Sequence, residues 1–340
     1  MISRPVDRTT EDYLQLALTG QRRDALSHVR RLEGEGADAA SLLHFVGNAQ
    51  REVGLRWQRN ECSVADEHAV TAINDAVIST IMDSTSLESQ AGRVALVCAD
   101  GEWHVMPARL LAHELELAGW ATWFAGGSVP PEHLHATLPD LGVQAVALSC
   151  TLSLHLPGAA RSVAAIHAAG LPVLVGGGGF DGGGVRARAI GADAMATSAA
   201  EAVDVLTAWN SDPPSTLASS EPADADAAAA LLREEAYLVG EAYEALAARF
   251  EDMVRYDERE RRRTREDLSY HVRYLAAAML TGDATVYVDM VTWLAAVLDA
   301  RGVPSRALQL TLEVLTEVAG IHRHEAAMGI LRGASSTVQA

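Results

Sequence analysis

Between residues 92 and 209, short apolar runs alternate with segments of helical period, and this rhythm constrains the fold more than any other feature. The runs fall at 94–98, 121–124, 145–149, 173–175 and 192–196. The helical segments between and after them fall at 107–118, 132–141, 158–169, 185–190 and 199–209. Runs this short, mostly apolar and each followed by a helix, predict a parallel, doubly wound α/β sheet. Right-handed crossovers then bring every strand C-terminus to one edge. Five strands predict flavodoxin-like order, with ligands expected at that edge.

The flanks read differently. Leu14, Leu18, Leu26, Leu42, Leu43, Val46, Val53 and Trp57 recur at helical spacing. Thr10 and Ser41 are candidate helix caps, and Ser63-Val64-Ala65-Asp66 is a capping box opening a helix through Ile73, Val77 and Ile81. A four-helix bundle over 1–90 is expected, followed by the α/β domain over 91–210. Residues 211–228, rich in Ser, Pro, Ala and Asp, read as a linker. An all-α domain follows over 229–340, a globin-like arrangement being one form open to it. Its helices are expected at about 231–254, 261–280 (closed by Gly282) and 286–300 (stopped by Gly302). Pro304 falls at the first position of a fourth.

Composition narrows the function classes. At 340 residues, two or three domains are expected. A net charge of -18 argues against direct nucleic-acid binding. The basic run from Arg259 to Arg265 is interleaved with Glu258, Glu260 and Glu266 and reads as a solvated helix face. No apolar stretch of about 18 residues is present, so no membrane span is expected. Met1-Ile2-Ser3-Arg4-Pro5 lacks a signal-peptide core. Three cysteines without metal spacing (Cys62, Cys98, Cys150) fit a reduced, cytoplasmic protein.

Three strand ends carry unusual residues. The first leads into Glu102-Trp103-His104-Val105-Met106-Pro107. His104 is a potential metal ligand, and Glu102 can accept its second ring N–H and fix the tautomer. The third strand leads into Ser149-Cys150-Thr151, a hydroxyl-rich turn, and the fourth into Gly176-Gly177-Gly178-Gly179, where small residues admit a close approach. Taken singly, these are a surface histidine, a helix cap and a turn. The first βα turn holds no Gly-rich dinucleotide fingerprint.

Together these residues resemble the cobalamin-binding Rossmann domain, whose pattern is Asp-x-His-x-x-Gly, then Ser-x-Leu or Ser-x-Thr, then Gly-Gly. The resemblance implies His104 as the lower cobalt ligand, with Glu102 supporting it. It places Ser149, Thr151, Gly176 and Gly177 along the nucleotide tail. Glu102 stands where the family has Asp, and Pro107 where it has Gly, which puts the loop's path in question.

Upstream, Trp57 followed after nine residues by Glu67-His68 resembles the cap signature of light-sensing cobalamin proteins of the CarH type. That implies Trp57 against an upper adenosyl group, Glu67 on its ribose, and His68 as a ligand able to reach cobalt after photolysis. An ordinary core Trp and a charged helix start are the alternative.

The whole arrangement resembles the photocobilins, which add a bilin-holding domain. It implies adenosylcobalamin as cofactor, biliverdin as a second chromophore, a homo-oligomer (a dimer first), an unknown output partner, and a sensor rather than an enzyme. His271, Tyr274 and Trp293 are bilin candidates, with a core stripe through Leu268, Val272, Leu275 and Met279 as the competing reading of that helix. No cysteine follows Cys150, so any bilin there would be held non-covalently. The alternative functions are a corrinoid carrier of a methyltransferase system, or a passive cobalamin store. The third domain also reads as a chromophore-free partner or dimerisation domain.

Overall fold

The structure, a computed structural model, describes residues 7–180, 183–215 and 217–338. The reading of Met1 to Pro5 therefore lies outside the described residues. The cap consists of α1 (Arg8–Leu18), α2 (Arg22–Gly34), α3 (Ala39–Gln58) and α4 (Val64–Asp83). Its apolar stripes close on Leu14, Leu43, Val46, Val53, Val77 and Ile78. The capping box at Ser63 and Asp66 is present as expected. The other two caps are corrected. Asp7 and Asp38 cap α1 and α3, accepting the N–H of Thr10 at 2.9 Å and of Ser41 at 2.8 Å. Thr10 and Ser41 are thus donors three residues inside their helices, not caps.

The middle of the chain runs β1 (Gly92–Cys98), α5 (Val105–Leu117), β2 (Trp120–Phe124), α6 (Pro131–Thr137), β3 (Ala145–Ser149), α7 (Leu156–Ala168), β4 (Val173–Gly176), α8 (Val185–Ala189), β5 (Ala194–Ala196) and α9 (Ala199–Ser211). The strands form one parallel sheet ordered β2-β1-β3-β4-β5, the flavodoxin-like order. The expected helix over 132–141 ends as an α-helix at Thr137 and continues as 3-10 over Leu138–Leu141. Pro139 has no N–H to extend the α-helical ladder.

The remaining helices are α10 (Ala225–Arg233), α11 (Glu235–Arg249), α12 (Glu258–Thr281), α13 (Thr285–Ala300), α14 (Ser305–Ile321) and α15 (Glu325–Val338). Three expectations are corrected. The linker ends earlier, because Asp224 caps α10. The single helix over 231–254 is broken at Glu234 and gives way to 3-10 structure over Glu251–Arg255, and both α10 and α11 pack on α12. Pro304 is the N-cap of α14 rather than its first residue. Gly282, at φ +64°, closes α12 as expected.

One sheet face packs on α5 and α9 through Leu96, Leu174, Leu115 and Leu206. On the other face, Val97, Leu148 and Val175 join Leu156 and Val163 of α7. That cluster continues without a break into Leu231, Leu275 and Tyr287. The C-terminal helices are therefore built onto the sheet layer rather than tethered to it. Met106 of α5 belongs to the cap's core, which seats the cap above the loop after β1.

Candidate functional site

Parallel register places the ends of three central strands side by side: Cys98 pairs with Ser149, and Ser149 with Gly176. The loops that carry His104, Thr151 and Gly177 leave from these ends. This is the edge where β1 and β3 send their connections to opposite faces, the natural ligand crevice of such sheets.

Glu102 ties two of the loops together. Its side chain is wholly buried. Oε1 accepts the His104 backbone N–H at 2.8 Å and lies 2.7 Å from Nδ1 of the His104 ring. Oε2 accepts the N–H groups of Thr151 at 2.8 Å and Leu152 at 3.0 Å. Burial works to raise the carboxyl pKa, yet the hydrogen bonds from His104 and Leu152 outweigh it and bring it down to about 2. The hydrogen bond to Glu102 in turn raises the His104 pKa, against the opposing effect of burial, and the Glu67 charge adds to the rise. Nδ1 bound to the carboxylate leaves Nε2 as the ring's outward nitrogen. The side chain is 55% exposed. The loop is pinned further by the Gly101 N–H on Ser128 Oγ and the Ser128 N–H on the Glu102 carbonyl, both at 2.9 Å.

Pro107 fits where the resemblance had put the loop's path in question. α5 begins at Val105 with His104 as its N-cap. Pro107 lies in the first turn, where backbone N–H groups have no intrahelical acceptor to lose.

The tail-slot residues divide. Thr151 Oγ1 is buried with no hydrogen-bond partner among the described residues. Ser149 is buried at the end of β3. Gly177 is exposed, at φ +103°, and a Cβ there would lie 2.5 Å from the Cys150 carbonyl oxygen. A Cβ on Gly176 would lie 2.9 Å from the Ala196 carbonyl oxygen. Neighbouring backbone therefore demands glycine at both positions, whatever else approaches them.

In the cap, Glu67 is held by a chain that sequence reading missed. The Tyr13 hydroxyl donates to Asn74 Oδ1 (2.7 Å), Asn74 Nδ2 to Gln50 Oε1 (2.8 Å), and Gln50 Nε2 to Glu67 Oε1 (3.0 Å) and Thr71 Oγ1 (2.8 Å). The signal was available: Asn74 interrupts the stripe Val70, Ile73, Val77 at a helical position. His68, 75% exposed, has Nδ1 2.6 Å from Glu67 Oε2. The Trp57 ring has its partners in the C-terminal helices: it stacks on Trp293 and lies under the Arg301 guanidinium.

The bilin candidates are dispersed. His271 is 1% exposed, with Nδ1 2.7 Å from the Tyr287 hydroxyl, and burial depresses its pKa to about 4. It is a core residue, deeper than the margin of the stripe where the competing reading set it, and not a wall of an accessible slot. Tyr274 is half-buried, and burial, with the nearby Cys150 and Glu102 charges adding, pushes its hydroxyl up to about 12. Trp293 faces the cap. Elsewhere in this region, an open cleft of about 360 Å³ is lined by Leu232, Arg233, Glu235, Val239, Ser269 and Arg273.

Fold and site define a helical cap over a flavodoxin-like sheet, with a supported histidine at the ligand edge. Residues 92–207 and residues 9–81 each match a family model described as a B12 binding domain, and residues 198–332 match the Phycobilisome protein model. The chain therefore carries cobalamin-binding domains. Among solved structures it is similar to the Methanosarcina barkeri monomethylamine corrinoid protein (16% identity, 59% of this chain and 97% of that one, TM-score 0.51). It also matches a cobalamin-binding protein from Desulfitobacterium hafniense DCB-2 (20% identity, 60% and 99%, TM-score 0.33). A third match is the M. barkeri methanol:cobalamin methyltransferase complex MtaBC (16% identity, 63% and 83%, TM-score 0.33). The first of these shares the fold. No curated protein matches the chain in sequence.

A corrinoid fits the residues present. His104 would hold cobalt through Nε2, the Thr151 hydroxyl, unpartnered among the described residues, would give a hydrogen bond, and the exposed Gly177 carries no side chain to obstruct approach. Among the described residues no helix is long and apolar enough to cross a membrane.

Proposed function

We propose that this chain is an adenosylcobalamin-dependent photoreceptor. When bound, adenosylcobalamin supplies a light-cleavable cobalt–carbon bond. His104 presents Nε2 below, its tautomer held by Glu102. Glu67, fixed by Gln50, offers a carboxylate to ribose hydroxyls, and Trp57, held by Trp293 and Arg301, packs against the adenosyl group. Once those partners are gone, the cap residues repack, and exposed His68 is free to swing toward the upper side. Such a change biases the cap and the C-terminal helices toward a new arrangement or oligomer.

The observation that carries the reading is that the cap is seated on the His104 loop, with Met106 of α5 inside the cap's core, while Gln50 fixes the Glu67 carboxylate within that cap. This is the placement an upper-face group would need. The phycobilisome-type match over 198–332 supports a second, bilin chromophore, with biliverdin the proposed one. Arg233 and Arg273 in the open cleft suit its propionates. The buried His271 does not serve it, and no step above runs through a bilin.

Absorption spectra with adenosylcobalamin and biliverdin, before and after green light, test the reading. Photolysis with a lasting spectral change is expected, together with a shifted long-wavelength bilin band. A protein that holds the corrinoid and is indifferent to light refutes it. The second reading is a methyl-corrinoid carrier, favoured by the fold shared with the M. barkeri corrinoid protein. It predicts methyl exchange with a methyltransferase in the dark.

A further inference from the structure

The last turn of a helix leaves carbonyls without intrahelical donors. At the end of α3 the Trp57 carbonyl accepts the Asn60 N–H at 3.1 Å, and Arg301 adds donors from a distant part of the chain, Nη2 to that carbonyl at 3.0 Å and Nη1 to the Gln58 carbonyl at 3.2 Å. Its guanidinium also lies 5.0 Å from the Trp57 ring centroid, so one cation serves both the negative helix end and the aromatic face. Trp293 stacks on the same ring, with centroids 6.0 Å apart and planes at 28°. Asn60 Nδ2 adds a contact to the Ala300 carbonyl at 3.4 Å.

Trp293 does little for its own helix. The buried residues of α13 are Val286, Tyr287, Met290, Val291 and Val297, whereas Trp293, 42% exposed, lies at the edge of that stripe beside Val286 and Val297. A half-exposed tryptophan at the edge of its helix's core face, stacked on the tryptophan of another segment, has a role between segments.

The other end of α13 is fixed to the sheet edge. Buried Arg186 of α8 donates to Asp283 Oδ2 at 2.7 Å and Thr285 Oγ1 at 3.1 Å. The same guanidinium donates to the Gly179 carbonyl at 3.2 Å and Ser153 Oγ at 3.3 Å, in the loops after β4 and β3. A helix of 16 residues, about 24 Å long, therefore joins the glycine-run loop to the cap's tryptophan.

We propose that α13 is a positioning strut for the cobalamin site, Trp293 and Arg301 setting Trp57 so that a cobalamin with a bulky upper ligand is favoured over one with a small ligand. This rests on the reading that Trp57 faces the upper ligand. Displacing Trp57 then means breaking the stack and the Arg301 bonds, or moving α13, so the C-terminal helices register what occupies the upper face.

The test compares equilibrium binding of adenosylcobalamin and hydroxocobalamin to the full chain and to Trp57→Ala, Trp293→Ala, Trp293→Phe and Arg301→Gln. Amide exchange over residues 57–62 is measured in the same ligand-free proteins. Trp293→Ala and Arg301→Gln are expected to speed that exchange and to cut the adenosyl-over-hydroxo preference by about 3- to 10-fold. Trp293→Phe is expected to keep the preference, and Trp57→Ala combined with Trp293→Ala to lose no more than Trp57→Ala alone. If Trp57→Ala abolishes the preference while Trp293→Ala and Arg301→Gln keep it, the strut is refuted and the upper-face reading stands. A Trp57→Ala variant with full preference refutes that reading, and the strut with it. Equal losses for both corrinoids, shared by Trp293→Phe, mean general loosening and also overturn the proposal.

Discussion

Replacing Glu102 by Gln changes one atom and sets four donors against one acceptor. In the native site both carboxylate oxygens are used twice, by the ring and backbone of His104 and by the N–H groups of Thr151 and Leu152. If the amide oxygen keeps Thr151 and Leu152, the amide NH2 faces the His104 N–H, donor against donor. Nδ1 must then accept, which moves the ring proton to Nε2, the nitrogen meant for cobalt. If the amide turns over, two buried N–H groups lose their acceptor at about 1–3 kcal/mol each. The pKa gives a second measure. A carboxyl moved from 4.5 to about 2 on folding contributes roughly 3 kcal/mol. Glu102→Gln should therefore cost about 3–5 kcal/mol, read as a shift in urea midpoint at neutral pH, and should weaken histidine ligation in the spectrum of bound hydroxocobalamin. The sign with pH is fixed. The Glu102 contribution is full above its ordinary pKa and is lost as pH falls from about 4.5 toward 2, so the gap between the two proteins closes in acid. His104, whose pKa is raised, contributes below its ordinary value of 6.5 and loses that contribution as pH rises through the raised value, so the gap narrows again in alkali. A loss under about 1 kcal/mol with unchanged ligation would refute the account of the carboxylate as the joint of the two loops.

Three further outcomes are expected. His271, buried with a pKa near 4, takes up its proton first in the unfolded chain, so stability should fall by about 3 kcal/mol between pH 6.5 and 4. The double variant His271→Leu, Tyr287→Phe should show an acid loss smaller by that amount in urea titrations. Gln50→Leu breaks the chain from Tyr13 to Glu67 and should cost about 1–3 kcal/mol in thermal unfolding while lowering adenosylcobalamin affinity more than hydroxocobalamin affinity. Gly177→Ala, strained at φ +103° and pressed on the Cys150 carbonyl, should cost about 2 kcal/mol or more, with faster amide exchange in the loops after β3 and β4.

Local patterns made the sheet and the lower half of the site legible. A parallel strand reads as an apolar run, and its C-terminal loop follows directly in sequence. Glu102 and His104 are two residues apart, so their pairing needed no fold to be foreseen. Asp7 and Asp38 were overlooked because two residues three apart could each have capped, and only backbone geometry chooses between them. His271 was misplaced because a helical histidine beside apolar residues looks alike at a slot's edge and in a core. Its partner Tyr287, on the next helix, decides which.

By itself, the amino-acid order determined the alternation of strands and helices, the capping box at Ser63 and the histidine after the first strand, since each depends on residues within one turn or one βα unit. Tertiary structure alone decided that Trp57 meets Trp293 and Arg301, the arginine standing 244 positions further along the chain. Only the fold shows that Glu67 is held from Tyr13, or that Arg186 welds the glycine loop to α13. Side chains so distant along the chain carry no mutual period or spacing. Packing brings them into contact, and only there does the cap acquire its hold on the third group of helices.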